Sequence, residues 1–74
     1  MAESAINGLV KMVNQIALNM AANGTDEEVV EQIAQHLGKF WSSSMKQAIF
    51  EHLELVKTEL LPLAYKALLQ LRDD

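Results

Sequence analysis

Ile6, Leu9, Val10, Val13, Ile16, Ala17 and Met20 recur at steps of three, one, three, three, one and three. Side chains at that spacing share one face of an α-helix, whereas a strand would scatter them over both faces of a sheet. Apolar residues recur at similar spacing in three later segments, and no stretch reads as a strand. The chain is therefore expected to be all-α, a small bundle of three to four short amphipathic helices over about 4–23, 26–40, 43–57 and 62–72. Its 74 residues suffice for a single helical domain, 1–74. A chain this short buries only about 60% of the surface its unfolded form exposes. It has no cysteine, so neither a disulfide nor a thiolate-held metal can staple it. Stability must come from tight helix packing, self-association or docking on a partner.

Local signals set the boundaries. Ser4 is placed to cap the first helix, Gly8 weakens its first turns or marks its true start, and Asn23-Gly24 ends it with a left-handed stop. Thr25-Asp26-Glu27-Glu28 predicts a capping box, with Thr25 and Glu28 each bonding the other's backbone amide and the acids facing the positive end of the helix dipole. Val29, Val30, Ile33, Ala34 and Leu37 then form an inner face, with Glu27, Glu31, Gln32 and Gln35 outside. Gly38 is a possible stop, with a frayed turn beyond it. Ser42 caps a third helix whose inner face is Met45, Ile49, His52, Leu53 and Val56. Pro62, the only proline, suits the first turn of a last helix that groups Ala64, Tyr65, Leu68 and Leu71. Two forms stay open before it: a loop at 57–61, or one helix kinked at Pro62.

Composition excludes several functions. The net charge is −4 and the six basic residues are scattered, which disfavours a nucleic-acid surface, a helix-turn-helix reader or an anionic-membrane surface. No apolar run approaches the roughly 18 residues of a membrane span. Met1-Ala2-Glu3-Ser4 lacks the basic and apolar regions of a signal peptide. A soluble, cytoplasmic protein is expected, with no nucleic-acid or membrane partner.

No phosphate loop, HExxH, CxxC or GxSxG is present, so no catalytic residue, cofactor or metal is expected. His36 and His52 fall on different helices and could meet as a metal pair or supply a general base. Without a placed carboxylate they read more simply as two histidines at the apolar face, each satisfied by a hydrogen bond. Asp26, Glu27, Glu28 and Glu31 could dock a basic partner; the plainer reading is a solvated helix N-terminus. Phe40 and Trp41 cannot point the same way on a helix, so one plugs the core under Ser42; two readings stay open for the other, a place in the core as well or an exposed anchor for a partner. Leu18 lies opposite the core stripe of helix one, beside Lys11, Asn14 and Ala22. Phe50 lies off the core face of helix three, between Gln47, Glu54 and Lys57. Helix one carries a single charge, Lys11, between Ser4 and Asp26, which favours a partner-covered surface. The candidate partner-binding residues are Met12, Leu18, Phe40, Trp41 and Phe50. The partner is either another protein or a second copy of the chain.

Leu9-Val10-Lys11-Met12-Val13-Asn14-Gln15-Ile16-Ala17, the HLxxFWxxxM pattern from His36 to Met45, and the later Ile49, His52, Leu53, Leu61-Pro62-Leu63, Ala67 and Leu68 together resemble the delta subunit of NAD-dependent formate dehydrogenase. The likeness spans about Leu9 to Leu71. It departs at Ser43, where the family often has proline, and at Lys57-Thr58-Glu59-Leu60, where a glycine-rich turn is usual. The second departure points towards a longer helix kinked at Pro62. The resemblance implies a small, non-catalytic accessory subunit of a soluble molybdenum- or tungsten-dependent enzyme. Its larger subunits carry pterin, iron–sulfur clusters and flavin, and pass electrons from formate to NAD. The implied partner is a larger subunit, the catalytic one first, with homo-oligomers possible for the isolated chain.

Overall fold

The computed structural model describes the backbone of residues 2–73 and the side chains of residues 5–73. Among the described residues five α-helices form: α1 (Ala2–Met20), α2 (Asp26–Phe40), α3 (Ser43–Glu51), the single turn α4 (Leu53–Val56) and α5 (Pro62–Asp73), with a 3-10 turn at Lys57–Glu59 between the last two. No strand occurs among the described residues. The all-α expectation holds, but three to four helices become five because the third predicted helix breaks.

α1 runs through Ser4 and Gly8, so neither marks its start, and it ends at Met20 rather than at residue 23. Gly24 makes the turn at φ +153°, a positive φ that L side chains rarely adopt, four residues beyond the end of α1. A Cβ there would lie 2.7 Å from Glu28 Oε1. That oxygen belongs to the predicted capping box, which is complete. Glu28 N–H donates to Thr25 Oγ1 at 3.3 Å, and Thr25 N–H donates to Glu28 Oε1 at 2.9 Å. The hydrogen bond from the Thr25 backbone, then that with its side chain, holds the Glu28 carboxyl below the ordinary glutamate range.

A depressed carboxylate pKa means that the unfolded state binds more protons as pH falls. The stability that Glu28 contributes is therefore present above its unfolded pKa and lost as pH falls through its folded pKa. Glu28→Gln keeps an acceptor oxygen but cannot titrate. Its melting temperature is expected to fall less than wild type's between neutral and acid pH. Parallel curves would remove the box from the acid response. Thr25→Ala is expected to cost about 1 kcal/mol at neutral pH, measured by urea unfolding.

α2 continues through Gly38 to Phe40, so Gly38 is not a stop. Its missing side chain admits α5: a Cβ there would sit 3.3 Å from Leu71 Cδ1. Contact between α2 and α5 is the most extensive in the fold, and α1 packs against α2, α3 and α5. The fully buried Ile33, Leu37 and Leu68 share the core with the small residues Ala34, Ala64 and Ala67, which leave room for neighbouring backbones to approach. Ala67 was not among the residues expected inside; Tyr65 and Leu71, which were, are only half-buried. The Cα radius of gyration, 11.2 Å, equals the roughly 11 Å expected of a compact chain this long.

Ser42 caps α3 as expected, accepting from Met45 N–H at 3.2 Å. Ser43 is the first residue of that helix, the position where a proline would also fit. The break comes at His52, at φ −110° and ψ 12°. Its N–H turns to Ile49 O at 3.2 Å, three residues back rather than four. Its ring Nδ1 approaches Ala48 O at 3.0 Å. A carbonyl only accepts, so Nδ1 carries a hydrogen and replaces the helical amide there. α5 is separate, neither a plain loop's sequel nor part of a kinked helix: Leu60 is extended and buried, and Pro62 opens the helix.

The entry to α5 is held from across the molecule. Asn14 Nδ2 donates to Glu59 O at 2.9 Å, and Leu61 N–H donates to Asn14 Oδ1 at 2.9 Å. One side-chain amide thus satisfies both backbone groups of a turn 45 to 47 residues away. The Tyr65 hydroxyl donates to Glu54 Oε2 at 3.2 Å and Lys57 Nζ lies 5.2 Å from the Tyr65 ring centre, bracing α4 and the 3-10 turn against α5.

Candidate partner-binding surface

With the apolar faces of all five helices turned inward, the large apolar side chains left outside are few. Among the described residues they are Met12 (45% exposed), Leu18 (61%), Phe40 (67%) and Leu55 (76%). A single exposed apolar residue is ordinary; several on a chain this small are a surface to account for. Phe40 and Trp41 divide as their adjacency demands. Trp41, 5% exposed, enters the core where its N–H closes α2 on Leu37 O at 2.9 Å, and Phe40 stays outside with its ring 4.7 Å from that of His36. Phe50 is half-buried against the core. Leu55 was not picked out in the sequence. Its signal was there, because it falls outside the Ile49, Leu53, Val56 spacing.

Leu18 is not isolated on its helix. It lines a groove together with Ala17, Ala21, Leu61, Pro62 and Leu63. The groove exists because the Asn14 clamp brings the start of α5 against α1. Asp26 and Lys66 flank it, and the same two residues border a second cleft lined by Glu27, Val30, Glu31 and Gln70. The two hollows therefore adjoin, one apolar and one acidic. Phe40 borders a third hollow with Met20, Gln32, Gln35, His36 and Lys39, and His52 does not line it.

Both ends of α2 are electrically complemented. Asp26, Glu27 and Glu28 occupy its first turn, and Lys46 Nζ donates to Gly38 O, 3.0 Å away, near its last. Among the described residues no three histidine or acidic side chains come close enough to hold a metal ion, and no described helix is long and apolar enough to cross a membrane.

Residues 8–68 match the NADH-dependent formate dehydrogenase delta subunit family. Comparison with curated proteins and with solved structures gave no match. The matched span contains the capping box, both residues of the Phe40-Trp41 pair, the His52 break, the Asn14 clamp and Leu18 with its groove. It covers well over half of the chain, and on that ground the protein belongs to the family of formate dehydrogenase delta subunits.

Proposed function

We propose that this chain is a non-catalytic accessory subunit. It binds a larger subunit of a molybdenum- or tungsten-dependent, NAD-linked formate dehydrogenase, the catalytic one, and supports the assembly or stability of that complex. The family match over residues 8–68 carries this reading. The exposed Met12, Leu18 and Phe40 support it, since a partner would cover apolar surface that is otherwise left in water. Phe50 can add only its open edge, and Trp41 acts from the core by fixing where Phe40 stands.

The test is co-expression of the tagged chain with the larger subunits, followed by capture in gentle salt. Recovery of the larger subunits in fixed proportion is the expected result. Leu18→Asp combined with Phe40→Asp is expected to reduce that recovery at least about tenfold while far-UV circular dichroism stays helical, because both residues are exposed. Recovery of the chain alone would overturn the subunit reading and favour a self-associating helical module, which exposed apolar residues also suit.

A further inference from the structure

Resting on the subunit reading, we propose that the trough beside Leu18 is the docking site for one amphipathic segment of the larger subunit, apolar at one end and bearing lysine or arginine at the other. The two halves of the trough specify those two halves of the segment. At one end Leu18, Ala21, Pro62 and Leu63 line an apolar surface built from the end of α1, the turn after it and the start of α5. At the other, Glu27 and Glu31 line the cleft, with Asp26 shared between the halves. Among the described residues Lys66 is the only cation on either wall, so three carboxylates face one ammonium. Glu28 does not contribute, because its carboxylate is turned back into the capping box.

A purely apolar segment would leave the acidic end unmatched, and a purely basic one would leave Leu18 in water. A second copy of the chain is a poorer occupant. A two-fold contact at the trough sets each copy's carboxylates either against their own kind or against the other copy's apolar end, and the chain's net charge of −4 adds repulsion. The acidic end steers and orients the segment, while the apolar end supplies burial.

The test uses the full-length chain and the larger subunits purified without it, titrated at low and at moderate salt. Leu18→Asp and Glu31→Lys are each expected to weaken binding about tenfold or more, and Glu31→Lys to flatten the salt dependence. Glu51→Lys, an equal charge change on exposed α3, is expected to leave affinity within about twofold of wild type if the effect is local rather than a matter of net charge. Carbodiimide treatment of the wild-type complex is expected to join Glu27 or Glu31 to partner lysines. If wild type binds and both trough variants match Glu51→Lys, the trough is overturned and the subunit reading stands. If wild type does not bind the larger subunits, the subunit reading falls and this proposal with it.

Discussion

Ile33→Ala is expected to leave a substantial part of the protein unfolded at physiological temperature. Ile33 is fully buried, in the middle of the helix that makes the fold's most extensive contact. Truncating such a residue loses both its transfer free energy and the packing around the cavity, about 2–5 kcal/mol. A chain of 74 residues has roughly 4–11 kcal/mol in all at typical values per residue. For a domain this small each kcal/mol moves the melting temperature by about 4–8 °C, so a drop of at least about 8 °C is expected by circular dichroism. Leu55→Ala makes a similar truncation at a residue 76% exposed and is expected to stay within about 0.5 kcal/mol of wild type. Equal losses at the two sites would mean that Ile33 does not carry the core. If the larger subunit binds as proposed, it should also rescue Ile33→Ala, since a ligand of the folded state stabilises by mass action.

The second large effect is expected at Asn14, a residue with no apolar surface to lose. Asn14→Ala strands the Leu61 N–H, which is partly buried, and the Glu59 carbonyl. Leaving such groups unpaired costs about 1–3 kcal/mol. The loss should be local before it is global. Hydrogen exchange at the Leu61 amide is expected to accelerate well beyond that of amides in the middle of α2. Asn14→Asp keeps an oxygen for Leu61 but sets its other oxygen against the Glu59 carbonyl, so it is expected to remain destabilised at neutral pH. Wild-type stability in the aspartate variant would show that the Glu59 half contributes nothing. Because the clamp also brings Pro62 and Leu63 up to Leu18, Asn14→Ala should weaken partner binding in proportion to how far the groove opens.

The same residue shows where reading the sequence stops. Asn14 fell on the outer side of helix one with Lys11 and Leu18, and its helical position gave no sign that a turn 45 residues later would need it. Leu18 was correctly placed off the core face, but the groove beside it depends on the start of α5 and could not be read from helix one alone. The split between Phe40 and Trp41 was legible as a split. Which of the two went inside was decided by the turn at Trp41, where the chain leaves helical geometry and its backbone closes on Leu37.

The sequence by itself determined the class of fold, most of the buried positions and the helix starts at Asp26, Ser43 and Pro62. These depend on contacts within about four residues: apolar spacing, the Thr25–Glu28 box, the Ser42 cap and the fixed φ of proline. It could not determine the break at His52. Ile49, Leu53, Val56 and Leu60 keep helical spacing whether the helix runs on or bends and tightens, so periodicity is blind to the difference. Only tertiary structure decided that Gly38 would admit Leu71 and that Asn14 would hold the entry to α5. Each of those outcomes needs two segments brought together, and no local preference carries that information.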